Sequence, residues 1–219
     1  MPLLWEDIYI NLKKAIQYII SIHIPTIMIV LIPLALEWIY PNIFSPVHVI
    51  FLEIIMGPTC SIIYENEPME PNLMLLKPRP ITNTFFNLKE IAISIVQGLI
   101  ITIGLLFVYR YCVAEHCSES ATRTTVFLTL ITANILLTLT NRSFHYSIVT
   151  TIRYKNNLVL MIIGVTILIT ALLLFVPLLA HFFQFERVSA FQIVLSILVG
   201  FASVLWIEIH KWFQRKNHT

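Results

Sequence analysis

The sequence predicts an all-α, polytopic transmembrane bundle of six helices, and three observations support that prediction. Hydrophobic residues make up 58% of the 219-residue chain and charged residues 12%, with mean hydropathy +0.83; soluble domains are about 45 to 50% apolar and about 25% charged. The apolar residues gather into six runs, each close to the ~20 residues that a helix needs to cross a bilayer. Short polar or proline-bearing breaks separate these runs. In a 25.3 kDa chain they leave no room for a sizeable soluble domain such as a nucleotide-binding one.

Residues 1–15 come before the first run. Ile8, Leu12, Ala15 and Ile19 recur at three- and four-residue spacing, with Asp7, Asn11, Lys13 and Lys14 on other faces. That spacing predicts an amphipathic stalk continuous with the first membrane helix. Its apolar stripe calls for a partner surface or, alternatively, for a place flat on the lipid headgroups. The transmembrane domain, 16–219, has spans at about 16–39, 47–64, 88–108, 125–139, 158–183 and 190–209. The first run is too long for a signal core, and Glu6 and Asp7 stand where a leader would be positive, so it is a retained helix. The second contains Glu53 and a Gly57-Pro58 break. The fourth is the weakest, since Thr129, Thr132, Asn134 and Thr138 suit a helix facing other helices more than lipid. Phe182, Phe183 and Phe185, and Trp206 with Trp212, read as interfacial aromatic anchors around the ends of the fifth and sixth spans.

Basic residues set the orientation. Lys13, Lys14, Lys77, Arg79, Lys89, Arg142, Arg153, Lys155, Lys211, Arg215 and Lys216 fall on one side, and Arg110, Arg123 and Arg187 on the other. The positive-inside rule then puts both termini in the cytoplasm of a cell membrane. The formal charge of +2 is modest and dispersed, so nucleic acid is not an expected partner. Cys60 lies within a span. Cys112 and Cys117 share a loop on the outer side, where a disulfide and two unpaired thiols are both open.

The chemistry collects on the first two spans. A carboxylate in hydrocarbon costs about 2.5 to 3.5 kcal/mol on insertion scales, which marks Glu53. Pro58 removes the hydrogen bond that the Ile54 carbonyl would accept, and Pro25 does the same for Ser21. His23 and Thr26 share one helix face, and Glu53, Gly57 and Ser61 share another. If the two spans are antiparallel neighbours, Thr26 and Glu53 meet near the bilayer centre in a pocket with one negative charge. Carboxylate, hydroxyl and carbonyl oxygens suit a hard cation, and Glu53 with His23 suits a proton. Structural readings stand beside these: proline as a simple kink, and His23 satisfied by a backbone carbonyl. Glu37 and Glu208, near helix ends, read as structural, and Glu65, Glu67 and Glu70, alternating with Pro68 and Pro71, as a solvated turn. There is no Gly-x-x-x-x-Gly-Lys, His-Glu-x-x-His or Gly-x-Ser-x-Gly, so neither a cofactor nor a soluble catalytic centre is expected.

Four stretches resemble the C-terminal membrane half, helices five to ten, of P-type cation-transporting ATPases, especially the calcium-pump-like bacterial type. IYINLKKAIQYIISIHIP, from Ile8 to Pro25, resembles the stalk entering the family's fifth helix. PVHVIFLEIIMGPTCSIIYENEPMEPNLM resembles the sixth helix and the loop after it, and Lys77-Pro-Arg-Pro the end of that loop. ANILLTLTNRSFHYS, from Ala133 to Ser147, resembles the end of the eighth helix. The resemblance implies ion-ligand positions at His23, Thr26, Glu53, Met56 and Gly57. Gly57 stands where the family usually keeps an aspartate, and Thr26 where calcium pumps carry a glutamate.

A site with one carboxylate holds a divalent ion poorly, so what the resemblance implies here is either a decayed site or one tuned to a proton or monovalent cation. The family's Asp-Lys-Thr-Gly-Thr phosphorylation motif does not occur in the sequence, and no enzyme activity is expected of this chain alone. The expected protein is therefore the membrane part of a truncated or split pump, partnered by the lipid bilayer and a separately encoded N-terminal pump half. The alternative is a non-transporting interaction protein that docks on an intact P-type ATPase. An autonomous transporter is disfavoured, because the spans show no internal repeat.

Overall fold

A computed structural model describes residues 2–68, 87–144, 146–152 and 156–217, and among these every regular element is helical. Six helices are long and apolar enough to cross a membrane. The first, α1, runs from Pro2 to Ala35, about 51 Å at 1.5 Å per residue, so it extends well past a hydrocarbon layer of about 30 Å. It stops in a tight C-terminal turn: Trp38 donates to the Pro33 carbonyl at 2.9 Å while Glu37 takes a left-handed φ of 49°.

Helix α2, Pro46–Pro58, begins with proline at its first position, where no amide is needed. Beyond Pro58 the same rod continues as a π-helical segment, Thr59–Tyr64. The missing Pro58 amide is thus accommodated by wider turns, which are common at functional positions.

Helix α3, Leu88–Ala114, starts from a capping box in which the Asn87 side chain accepts from Lys89 and Glu90 accepts from the Asn87 amide. Helix α4, Glu119–Thr140, is capped by Ser118, whose Oγ accepts from the Ala121 amide at 3.0 Å. It is the most buried of the spans. Its threonines remain compatible with that position because Thr125, Thr129 and Thr138 each donate to the carbonyl four residues back. Among its named polar residues it is Asn134 that bonds across helices, accepting from the Tyr18 hydroxyl.

The chain then makes one short turn of helix, α5, Ile148–Thr151, followed by α6, Asn157–Phe175, a short α7, Pro177–Phe182, and the long α8, Ala190–Asn217. The apolar run expected as one span over 158–183 breaks at Val176, which Pro177 forces into extended geometry, ψ 113°.

Packing is closest at two glycines. A Cβ on Gly98 of α3 would stand 2.7 Å from Ile24 Cβ of α1, and one on Gly200 of α8 would stand 2.9 Å from the Thr129 carbonyl of α4. The α1–α3 and α4–α8 pairs are the most extensive in the fold.

Two expectations are corrected by the coordinates, and the stalk adds a feature the sequence did not announce. Its apolar stripe of Ile8, Leu12 and Ile19 faces outward, while Asn11, Lys13 and Lys14 are buried against the bundle. Polar termini draw that face in, since Asn11 donates to the Glu67 carbonyl at 2.9 Å and Lys13 lies 2.6 Å from Glu90. Glu67 is not solvated; it is buried against Arg142, whereas Glu65 is exposed, and Glu70 and Pro71 lie outside the described residues. Phe183 and Phe185 are buried as well, packed on His48 and Phe127, so of the three phenylalanines Phe182 is the exposed one. Cys112 and Cys117 are both free thiols. Glu208 faces inward, accepting from the Ile148 amide and from Lys211.

Candidate functional site

Helix α1 meets the rod formed by α2 and its π-helical continuation at two levels. At the first, the rings of Tyr18 and Tyr64 are 5.5 Å apart. At the second, His23 Nε2 lies 3.1 Å from Glu53 Oε1, the two side chains being 36% and 45% exposed. Both positions follow from the helix breaks. Pro25 sits two residues after His23, and Gly57-Pro58 sits one turn after Glu53, so each polar side chain stands beside a perturbed stretch of backbone.

The hydrogen-bond roles of the imidazole follow from its partners. His23 Nδ1 is 2.8 Å from the Ile19 carbonyl, which can only accept, so Nδ1 carries a hydrogen. Nε2 then faces a carboxylate oxygen, another acceptor. The contact is a hydrogen bond only when a further proton lies between Nε2 and Oε1.

The other expected site residues are arranged differently. Thr26 is buried, and its Oγ1 donates to the Ile22 carbonyl at 2.9 Å. Met56 is buried in the apolar core. Gly57 is exposed, and no atom lies within 4 Å of where its Cβ would be. The structure thus brings His23 and Glu53 together, turns the Thr26 hydroxyl back on its own helix and leaves open space at Gly57. Exposed Ile27, Leu31, Ile50 and Ile54 lie on the same two helices, so the pair sits on an open face of the described bundle. No group of three or more His, Cys, Asp or Glu suited to a metal ion occurs among the described residues.

A second polar centre, missed in the sequence, lies where the π-helical segment after α2 and helix α4 end and α6 begins. Arg142 Nε is 2.9 and 3.2 Å from the two Glu67 carboxylate oxygens, and Asn156 Nδ2 donates to Oε2 at 3.0 Å. Burial pushes the Glu67 carboxyl above the ordinary carboxylate range, while the charge of Arg142 pulls it partly back. Near it, α1, α3 and α8 enclose a cavity of about 200 Å³ that includes Gln17, Ser21, Gln97 and Lys211. Gln97 Nε2 is buried with no hydrogen-bond partner among the described residues, so the cavity suits ordered water. The first and last helices border one space here, since Gln17 of α1 and Lys211 of α8 both line it.

The family described as cation transporting ATPase, C-terminus, matches residues 41–213, a stretch that contains Glu53 but not His23 or Thr26. The chain is similar to a calcium-transporting ATPase of Listeria monocytogenes, 28% identical over 138 residues, which are 63% of this chain and 15% of that protein. It is also similar to calcium-transporting ATPase 1 of Lactococcus lactis, 26% identical over 136 residues, 62% of this chain and 15% of the relative. Calcium-transporting ATPase 1 of Yarrowia lipolytica is 24% identical over 219 residues, 98% of this chain and 23% of its own length. The chain thus spans between 15% and 23% of the curated relatives it matches.

Proposed function

The chain belongs to the C-terminal family of cation-transporting ATPases, and from that premise we propose that it lends one wall of the ion pathway to a P-type pump in a cell membrane. The phosphorylation and nucleotide domains of that pump are supplied by sequence outside these 219 residues. Both termini are cytoplasmic in this reading, on the eleven-to-three distribution of basic residues. The observation that carries it is the His23–Glu53 contact at 3.1 Å, an ionisable pair on two helices whose regular bonding is broken by proline.

The relatives are named for calcium transport, but the charge at this pair supports a different cargo. One carboxylate, shared with an imidazole and followed by Gly57, supplies too few oxygen ligands for the six to eight that calcium takes. The cargo is a proton or a monovalent cation.

The test is co-reconstitution of this chain with the N-terminal portion of a related pump in liposomes, with ATP-driven uptake followed by pH-sensitive and cation-sensitive dyes. Uptake requires both pieces, and Glu53→Gln abolishes it. Uptake indifferent to Glu53→Gln overturns the transport reading. This chain alone hydrolyses no ATP.

A second reading is favoured by a separate observation, the outward apolar stripe of Ile8, Leu12 and Ile19. Here the chain docks on an intact pump without carrying ions. Capture of an intact pump that is lost on Leu12→Glu, with Glu53→Gln neutral, would select it.

A further inference from the structure

At the opposite end of α2 from the Glu67 centre, the helix is held by a histidine that the transport reading does not use. His48, in the first turn, is buried in an aromatic cage. Its ring stacks on Phe44 at 5.8 Å and meets Phe183 and Phe185 edge-on at 5.6 and 5.4 Å. His48 Nε2 is 2.7 Å from the Phe183 carbonyl, so Nε2 carries a hydrogen and donates it. Nδ1 is 3.2 Å from the Ser45 amide and 2.7 Å from Ser45 Oγ. The amide can only donate, so Nδ1 accepts. Both nitrogens are satisfied by one tautomer of the neutral ring, which ties the α2 N-terminus to the linker between α7 and α8.

The surroundings of that linker are charged. Arg123 of α4 donates to the Ile43 carbonyl at 2.7 Å and to the Gln184 carbonyl at 3.2 Å, and its charge acts on His48. Glu119 pairs with Arg123 at 2.6 Å, and Glu186 accepts from Ser118. His181 on α7 is exposed. The carboxylate nearest to Arg123 is therefore already engaged, and His48 itself has carbonyl, amide, hydroxyl and aromatic neighbours.

We propose that His48 is an acid-sensitive latch: a second proton, on Nδ1, is accepted by Ser45 Oγ but costs the Ser45 amide its acceptor, and it places a positive charge inside the Phe44, Phe183 and Phe185 cage. This loosens the first turn of α2 against the α7–α8 linker, although Nε2 still donates to the Phe183 carbonyl. Two effects add. The Ser45 amide loses its partner, and a second positive charge arises in an apolar cage beside Arg123. Because α2 also bears Glu53, loosening its first turn changes the anchoring of the helix that carries the candidate site. The latch itself stands whether or not that site transports anything.

The experiment compares the full chain and His48→Gln in nanodiscs between pH 8 and pH 5, a range spanning the ordinary histidine value of about 6.5. Gln keeps a donor and an acceptor but takes no proton. The melting temperature of the unaltered chain falls on acidification by at least about 3 °C more than that of H48Q. Amide exchange, corrected for its intrinsic pH dependence, speeds up in segments 43–49 and 183–186 of the unaltered chain and not elsewhere. Parallel melting curves for the two proteins, or exchange that changes uniformly or not at all, overturn the latch. The exchange pattern of the unaltered chain decides the matter even if H48Q fails to fold.

Discussion

Arg142 grips Glu67 through Nε, 2.9 and 3.2 Å from its two carboxylate oxygens, with both side chains shielded from solvent. The pair joins the segment after the π-helical turns to the C-terminal end of α4, and Asn156 adds the start of α6. Removing one partner of a buried ion pair leaves the other charge uncompensated, which costs about 3 to 5 kcal/mol. Arg142→Met lowers thermal stability in detergent by that order. The double change Arg142→Met with Glu67→Leu recovers most of the loss, because no orphan charge remains. If the double variant melts no higher than the single one, the ion pair is not what holds this end of the bundle.

Protonation of Glu67 gives that junction a defined pH dependence. Burial raises its carboxyl in the folded chain, against the opposing pull of Arg142. The folded chain therefore holds the proton more tightly than the unfolded chain, whose carboxyl titrates at about 4.3. The stabilisation linked to this proton is complete below that value and is lost as pH rises through the folded one. Melting of the unaltered chain minus melting of Glu67→Gln accordingly falls as pH rises above about 4.3. A difference that stays flat, or rises, would show that Glu67 binds its proton no more tightly when folded.

The extent to which the fold was legible follows from where each signal resides. Six spans and a central, threonine-bearing α4 were readable because hydropathy and helical period are local properties, and Pro58 announced its own disruption. The contact of His23 with Glu53 joins two residues each marked by a neighbouring proline. Glu67 carried no such mark: its surroundings in sequence are acidic and proline-rich, and what buries it is Arg142, 75 residues away. The burial of Lys13 and Lys14 was hidden for a related reason. On an isolated helix they belong to the wet face, yet Glu90 and the segment ending at Glu67 offer that face its partners. Phe183 and Phe185 looked interfacial until Pro177 ended α6 early and turned them onto His48.

Two glycines with opposite surroundings give a direct test of the packing. A methyl group on Gly98 would stand 2.7 Å from Ile24 Cβ and 3.0 Å from the Ser21 carbonyl, so α1 and α3 must separate. Overpacking of this kind costs about 1 to 3 kcal/mol. Gly57 has nothing within 4 Å of the same position, and replacing a helical glycine by alanine gains up to about 1 kcal/mol. Gly98→Ala therefore lowers the melting temperature in nanodiscs, while Gly57→Ala leaves it unchanged or raises it. The reverse order would mean that the α1–α3 approach is looser than described, or that the α2 face is covered.

Glu53 and Glu67 are carboxylates on either side of the break in α2, and their environments separate function from stability. Glu67 is fully enclosed and tied to Arg142 and Asn156, whereas Glu53 has 45% of its side chain exposed and touches His23. A substitution on an open face away from packing changes stability by no more than about 0.5 kcal/mol. Glu53→Gln therefore melts within about 2 °C of the unaltered chain, while Arg142→Met, which takes the counter-charge from buried Glu67, melts well below it. A carboxylate kept on a membrane helix where stability does not require it has another reason to be there, and the uptake assay measures that reason. If Glu53→Gln unfolds the chain as readily as Arg142→Met, Glu53 is a structural residue and the site assigned to it fails.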